Sequence, residues 1–201
     1  MKIQILIPTY KFIPTEVVQS LMAICASLSV RNDRWNVAFA NGFNAAYART
    51  ELMNYVNKQP DLDYVLWIDS DHIFTIENVD NLIKTLNEHN LECLSAGYFV
   101  RDGSKVFAHG RFNADRSFKK LEKAGCRGLT ECDIFGFGFL LMKPQLIKEM
   151  VDKFPNDLFK FDCINYTTED VYFCKQMQSL GKKLYFDADN IVGHLMTAVN
   201  K

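Results

Sequence analysis

Apolar residues along the 201-residue chain fall into two alternating patterns. Short apolar runs that stop abruptly are separated by longer segments whose apolar positions recur every three to four residues. Ile3 to Ile7 is the first run, stopped by Pro8, and predicts a buried strand that ends in a loop. Pro14-Thr15 then opens a segment with Val18, Leu21, Met22, Cys25 and Leu28 on one helical face. Val37 to Phe39 predicts a second strand, ended by Asn41-Gly42, and Ala45, Ala48, Leu52, Tyr55 and Val56 return to helical spacing before Pro60. Tyr64 to Ile68 is the clearest strand, apolar on both faces and followed at once by acid. Thr75 suits the cap of a helix carrying Val79, Leu82, Ile83 and Leu86, and a further strand is expected at Cys93 to Ala96.

From Tyr98 to Cys132 the pattern loosens into a cation-rich stretch with Arg101, Lys105, Arg111, Arg116, Lys119, Lys120, Lys123 and Arg127, which predicts a hairpin or long loop over one edge of a site. Order returns at Ile134 to Met142. Pro144 sits where a first helical turn accepts it, ahead of Leu146, Ile147, Met150 and Val151. Thr167-Thr168-Glu169-Asp170 opens a last helix that Gly181 ends, and Leu184 to Phe186 predicts the final strand. The strand-helix alternation implies one α/β domain over residues 1–201, with a mixed, mainly parallel sheet flanked by helices on both faces. In such a sheet the chemistry lies at the carboxyl ends of the strands.

Composition narrows the function. With 48% hydrophobic residues and 16 Phe the chain is not a disordered one. Its 23 Lys+Arg against 24 Asp+Glu exclude binding of nucleic acid by bulk positive charge. The longest uncharged stretches, Val17 to Val30 and Trp35 to Ala48, fall short of the roughly 20 apolar residues that span a bilayer. The six cysteines form no C-x-x-C pair and several lie in apolar runs, as reduced core residues do. A cytosolic protein without structural zinc is expected.

Four places can carry chemistry. Asp69-Ser70-Asp71 follows the central strand, and alternate residues of an extended segment can aim two carboxylates at one cation. The competing reading is a strand-end turn whose carboxylates satisfy loop amides, and Asp187-Ala188-Asp189 has the same spacing after another strand. Glu169-Asp170 stands in a first helical turn, where the helix dipole stabilises each acid by about 0.3–1 kcal/mol, and Thr167 with Asp170 resembles a capping box. His72 and His194 are near-neighbours of acidic or strand-end segments. Gly136-Phe137-Gly138 implies close approach of backbone to a ligand, or a bulge. It has neither the spacing of a dinucleotide fingerprint nor the Lys-Ser/Thr ending of a phosphate loop, and no G-x-S-x-G elbow occurs.

Taken in order, Ile5-Leu6-Ile7-Pro8-Thr9-Tyr10, Asp69-Ser70-Asp71, Phe135-Gly136-Phe137-Gly138-Phe139-Leu140-Leu141, Thr168-Glu169-Asp170-Val171-Tyr172-Phe173-Cys174 and Gly193-His194 resemble a nucleotide-sugar glycosyltransferase of the GT-A fold, in the compact bacterial or phage-like form. The resemblance spans nearly the whole chain. It implies a Rossmann-like GT-A domain with a nucleotide-binding half at 1–97 and an acceptor-side half at 98–201. It also implies a soluble location in the cytoplasm, that of the host if the protein is phage-encoded.

The resemblance assigns roles as well. Pro8, Thr9 and Tyr10 would line the base and ribose, and Arg49 would approach the base or diphosphate. Asp69 and Asp71, with Ser70 between them, would hold a Mn²⁺ or Mg²⁺ ion together with His194. Phe137 and Gly138 would border the donor and acceptor sugars. Asp170 would be the general base of an inverting transfer from a UDP-sugar, with Glu169 beside it to assist or replace it. The acceptor would be a glycan, a protein hydroxyl or a modified phage DNA base. Two other classes compete: a haloacid-dehalogenase-like phosphohydrolase with Asp69 as nucleophile, and a nucleotide-binding module without turnover. His72-Ile73 after the acidic pair, in place of a small Gly-Thr/Val ending, counts against the hydrolase.

Overall fold

The computed structural model describes residues 1–42, 44–114, 118–155, 157–161 and 167–195. The first half alternates strand and helix as the pattern predicts: β1 (Lys2–Thr9), α1 (Thr15–Val30), β2 (Arg34–Asn41), α2 (Ala45–Val56), β3 (Tyr64–Ile68), the two-residue β4 (His72–Ile73), α3 (Ile76–Glu88) and β5 (Cys93–Gly97). The second half holds the hairpin β6 (Val106–Phe112) and β7 (Phe118–Glu122), then β8 (Leu129–Cys132), β9 (Phe139–Met142), α4 (Pro144–Lys153), α5 (Glu169–Ser179), β10 (Leu184–Ile191) and β11 (Gly193–His194).

Seven strands form one sheet in the order β2-β1-β3-β9-β5-β10-β8. β1 pairs in parallel with β2 and β3, and β5 with β10, so these five strands run one way. β9 and β8 run against them. Antiparallel β9 sits at the centre, between β3 and β5. The apolar run 134–142 predicted order throughout, but only its second part is strand. Its first part, with the two glycines, is shaped by what it must pass at the site.

The strands alternate strictly between two cores, as a period of two requires. Val65 and Trp67 of β3 face a core closed by Leu52 and Met53 of α2, Leu146 of α4 and Phe173 of α5. Leu66 and Ile68 face the other, closed by Val17 and Ile24 of α1 and Val79 and Leu82 of α3. Helices thus cover both faces, which is why β3 and β9 read as continuous apolar runs. Local signals hold as well. Thr75 and Asn78 form the capping box of α3, and Gly181 takes φ +75 past the end of α5, a left-handed conformation that favours glycine. Capping at the start of α5 differs by one residue from the sequence reading: Thr168 is the N-cap, and its hydroxyl bonds the Asp170 carboxylate.

The described cysteines are buried and unpaired; Cys163 lies outside the described residues. Burial pushes the Cys93 thiol up to about 12 and Cys132 and Cys174 well above their ordinary value, so these are inert core residues. Among the described residues no helix is long and apolar enough to cross a membrane.

Candidate active site

One cleft opens at the carboxyl ends of β1 and β3. Pro8, Thr9 and Tyr10 form one wall, Asn44, Ala45, Ala48 and Arg49 at the start of α2 form another, and Asp69, Ser70, Asp71 and Glu169 close it. The cleft therefore gathers most of the predicted nucleotide-sugar residues. Asn44 caps α2 by accepting a bond from the Tyr47 amide at 2.9 Å, which fixes the angle at which the helix enters.

Arg49 organises the floor. Its side chain is buried, and its two terminal nitrogens donate to different carboxylates: Asp69 Oδ1 at 2.7 Å and Glu169 Oε1 at 2.5 Å. The guanidinium also lies 4.9 Å from the centre of the Phe137 ring. Burial raises the Glu169 carboxyl above its ordinary range despite Arg49. For Asp69 burial acts in the same direction, but Arg49, with His72 and His194 further off, outweighs it and holds that carboxyl low. Phe137 is itself buried, within the core beneath Arg49, and does not line the cleft.

Asp71 belongs to a second cluster. β4 and β11 pair as an antiparallel ribbon with His72 opposite His194, and the Leu195 amide bonds the Asp71 carbonyl at 2.8 Å. This two-residue ribbon is what carries His194 to the acidic loop from the far end of the chain. The two imidazoles stack with centroids 4.5 Å apart. Asp71, His72 and His194 each offer a ligand atom, all within 4.8 Å of one another. His194 Nδ1 is bonded to the Phe99 carbonyl at 2.8 Å, so it carries the proton and Nε2 presents a lone pair. His72 Nδ1 lies 3.0 Å from Asp71 Oδ1, yet neither of its buried ring nitrogens makes a hydrogen bond. Burial pushes His72 down to about 3 and lowers His194 too, so both imidazoles are neutral at pH 7, as ligands must be. One carboxylate and two neutral imidazoles, with a buried nitrogen lacking a partner, fit a divalent ion such as Mn²⁺ better than the oxygen-preferring Mg²⁺.

Tyr98 and Arg101 are site residues that the sequence reading did not single out. The Tyr98 ring is wedged against His72 and His194, with centroids at 4.6 and 5.6 Å, and its hydroxyl accepts a bond from the Gly138 amide at 3.2 Å. This explains the glycine pair. A Cβ on Gly136 would collide with the Tyr98 hydroxyl, and one on Gly138 would stand 2.5 Å from His72 and 2.8 Å from Tyr98. The backbone comes close to protein side chains there, and no ligand is needed to account for the glycines. Tyr98 has one signal in the sequence, its place at the carboxyl end of a buried strand. Arg101 Nε donates to His194 Nε2 at 2.8 Å, and its Nη2 pairs with Asp71 Oδ2.

Asp170 sits at the start of α5, its Oδ1 taking the Val171 amide at 2.8 Å and the Thr168 hydroxyl. Its Oδ2 lies 3.6 Å from where a Cβ of Gly136 would stand, beside Tyr98. The rival acidic pair is structural. Asp187 Oδ1 accepts the Asp189 and Asn190 amides, and Asp189 pairs with Lys123 at 2.6 Å. The expected hairpin is present, but much of its charge is spent internally: Arg111 bonds the Glu131 carbonyl, Lys123 pairs with Asp189 and Arg127 bonds carbonyls of its own turn. Arg116 lies outside the described residues.

No protein-family model and no curated protein sequence matches the chain. Solved structures do. A197 from STIV superposes with a TM-score of 0.62 at 15% identity, covering 98% of this chain and 95% of that one. GalNAc-T7, solved with UDP, GalNAc and Mn²⁺, gives 0.66 at 9% identity, and this chain spans only 44% of its length. A Drosophila β1,4-galactosyltransferase 7 mutant, in complex with manganese, UDP-Gal and xylobiose, gives 0.55 at 15% identity, over 98% of this chain and 71% of that one. The chain thus has the GT-A fold of the two transferases, in a compact single-domain form.

Proposed function

We propose that the protein is a metal-dependent glycosyltransferase that moves a sugar from a UDP-sugar to an acceptor hydroxyl. The observation that carries this reading is the meeting of the Asp69-Ser70-Asp71 loop with His72 and His194 at the edge of the Pro8–Tyr10 cleft. The two enzymes of the same fold described above were solved with UDP or UDP-Gal and manganese, which supports the same class of donor here. Residues 1–97 would bind the nucleotide, with Thr9 and Tyr10 on the base and ribose, and 98–201 would face the acceptor.

Asp71, His194 and His72 would hold the ion, which when bound offsets the charge of the departing diphosphate. Asp69, held by Arg49 and lining the cleft, would contact the ribose in this scheme. Asp170 would accept the proton of the attacking hydroxyl, giving inversion at the anomeric carbon. Glu169 is the poorer base, because Arg49 already occupies its carboxylate. The phosphohydrolase reading needs Asp69 as a free nucleophile, whereas Arg49 pins its Oδ1 at 2.7 Å. The acceptor is a hydroxyl of a glycan, a protein or a modified DNA base.

The test is a thermal-shift screen of nucleotide-sugars with and without Mn²⁺, followed by UDP release assays on the donors that shift. A UDP-sugar shift that requires Mn²⁺ and is lost in Asp71→Asn is expected. A nucleotide shift that persists in Asp71→Asn without metal would remove the metal from the scheme. Tight nucleotide binding with no turnover on any acceptor would favour a binding module instead.

A further inference from the structure

Arg101 is the one cation seated directly on the Asp71–His72–His194 cluster among the described residues, and it takes two of the atoms that an ion would need. Its Nε donates to the His194 Nε2 lone pair at 2.8 Å, and its Nη2 pairs with Asp71 Oδ2. His194 Nδ1 is committed to the Phe99 carbonyl, so the imidazole has no second lone pair to offer. Asp71 Oδ2 and His194 Nε2 lie 3.6 Å apart, and the guanidinium bridges that pair.

We propose that Arg101 is an internal counter-cation of this centre, which holds Asp71 and His194 until a divalent ion displaces it. The proposal rests on the reading of the cluster as a metal centre. His194 Nε2 has one lone pair, which cannot serve the guanidinium and a dication at once, so Arg101 must leave it when an ion binds there. It is placed to do so. Arg101 stands on the exposed turn between Val100 and Val106, and its side chain is 47% exposed. That turn has its own fastening: the Ser104 amide bonds Asp102 Oδ1 at 2.9 Å, and Gly103 takes φ +81. The side chain can therefore swing out while the turn keeps its shape. An ion pair this exposed is weak enough to be reversible.

The exchange has a consequence for selectivity. A monovalent ion replaces one positive charge with another and gains no attraction to Asp71, whereas a dication doubles the charge on the carboxylate. Arg101 would therefore keep K⁺ and Na⁺ off the centre, and would lower apparent affinity for divalent ions by the fraction of time it occupies the site. It would also spare the ligand-free protein an unneutralised carboxylate beside the buried His72 and the partly buried His194.

Two measurements on the full chain test this, with Mn²⁺ alone as the probe. Free Mn²⁺ followed by electron paramagnetic resonance should show Arg101→Gln binding about tenfold tighter than the unaltered protein, as expected if the arginine holds the centre about nine-tenths of the time. Asp71→Asn should bind none. In the unaltered protein, Mn²⁺ should speed tryptic cleavage after Arg101, and should not do so in Asp71→Asn. Equal Mn²⁺ affinity in Arg101→Gln, or a cleavage rate indifferent to Mn²⁺ while binding is intact, overturns the counter-cation role and leaves the proposed function standing. If neither protein binds Mn²⁺, the metal centre itself falls, and this inference with it.

Discussion

Arg49 and Glu169, 120 positions apart, meet at 2.5 Å beneath the cleft, and the same guanidinium holds Asp69 at 2.7 Å. Helix α2 and helix α5 are thereby joined through one buried cation to the loop after β3. Removing that cation leaves two carboxylates at the floor with no counter-charge. Arg49→Met should destabilise the fold by about 3–5 kcal/mol, the cost of breaking a buried pair from one side. Urea unfolding would measure it. Arg49→Lys should recover part of that loss only, because an ammonium cannot fork between two acids.

The glycine after Phe137 makes a second prediction. Gly138→Ala places a methyl 2.5 Å from His72 and 2.8 Å from Tyr98. Overpacking of this kind costs about 1–3 kcal/mol. The His72 ring must shift to relieve it, so Mn²⁺ binding should weaken by more than the drop in melting temperature alone explains. An equal weakening of Mn²⁺ binding in Leu146→Ala, a buried core residue of α4 away from the cluster, would argue against this.

Asp170 should separate chemistry from fold. In Asp170→Asn the side-chain oxygen can still accept the Val171 amide, so the helix start is kept and the melting temperature should change little. Turnover should fall about 10²–10⁴-fold, the usual contribution of a general base, with donor KM nearly unchanged. Full activity in Asp170→Asn would pass the base role to another group.

His109, whose ring packs 5.0 Å from Tyr98 behind the cluster, predicts an acid-labile fold. It is wholly buried, its Nε2 lies 2.9 Å from Ser95 Oγ, and its ring stacks on Phe186 at 4.3 Å. Burial pushes it down to about 3, against an ordinary value of 6.5. The unfolded chain therefore binds this proton first as pH falls. Stability is retained above about 6.5 and lost progressively down to about 3, by about 1.4 kcal/mol per pH unit for one proton. His109→Gln should flatten that part of the pH–stability curve, measured by urea unfolding between pH 4 and 7 on the order of one point per half unit.

Much of this was legible in the residue pattern because it rests on local rules. The abrupt end of Tyr64–Ile68 in acid, the Thr75 cap, the Pro144 helix start and the Gly181 stop are each decided within a few neighbours. The two-sided apolar strands told of helices on both faces, since only a sheet buried twice can omit its polar alternation. The acidic loop, the late histidine and the Thr-Glu-Asp helix start were visible too, as separate pieces.

What joined or divided those pieces was decided by contacts across the chain. Asp69-Ser70-Asp71 and Asp187-Ala188-Asp189 have equal spacing, and only the pairing of β4 with β11 brings His194 to the first, beside its sequence neighbour His72, while Lys123 and backbone amides occupy the second. Two carboxylates that read alike part company: Arg49 takes Asp69, and Asp71 turns to the imidazoles. Tyr98 and Arg101 carry no motif at all, because a wedge and a counter-cation are defined by what lies opposite them. By itself, then, the sequence determined most of the elements and the end of the sheet where chemistry belongs, since periodicity and caps act over short range; the face that α1 buries was set by packing, with Val17 and Ile24 inside and Val18 and Met22 exposed. The tertiary structure alone decided which charges meet, because electrostatic partners are chosen by distance in space and not along the chain.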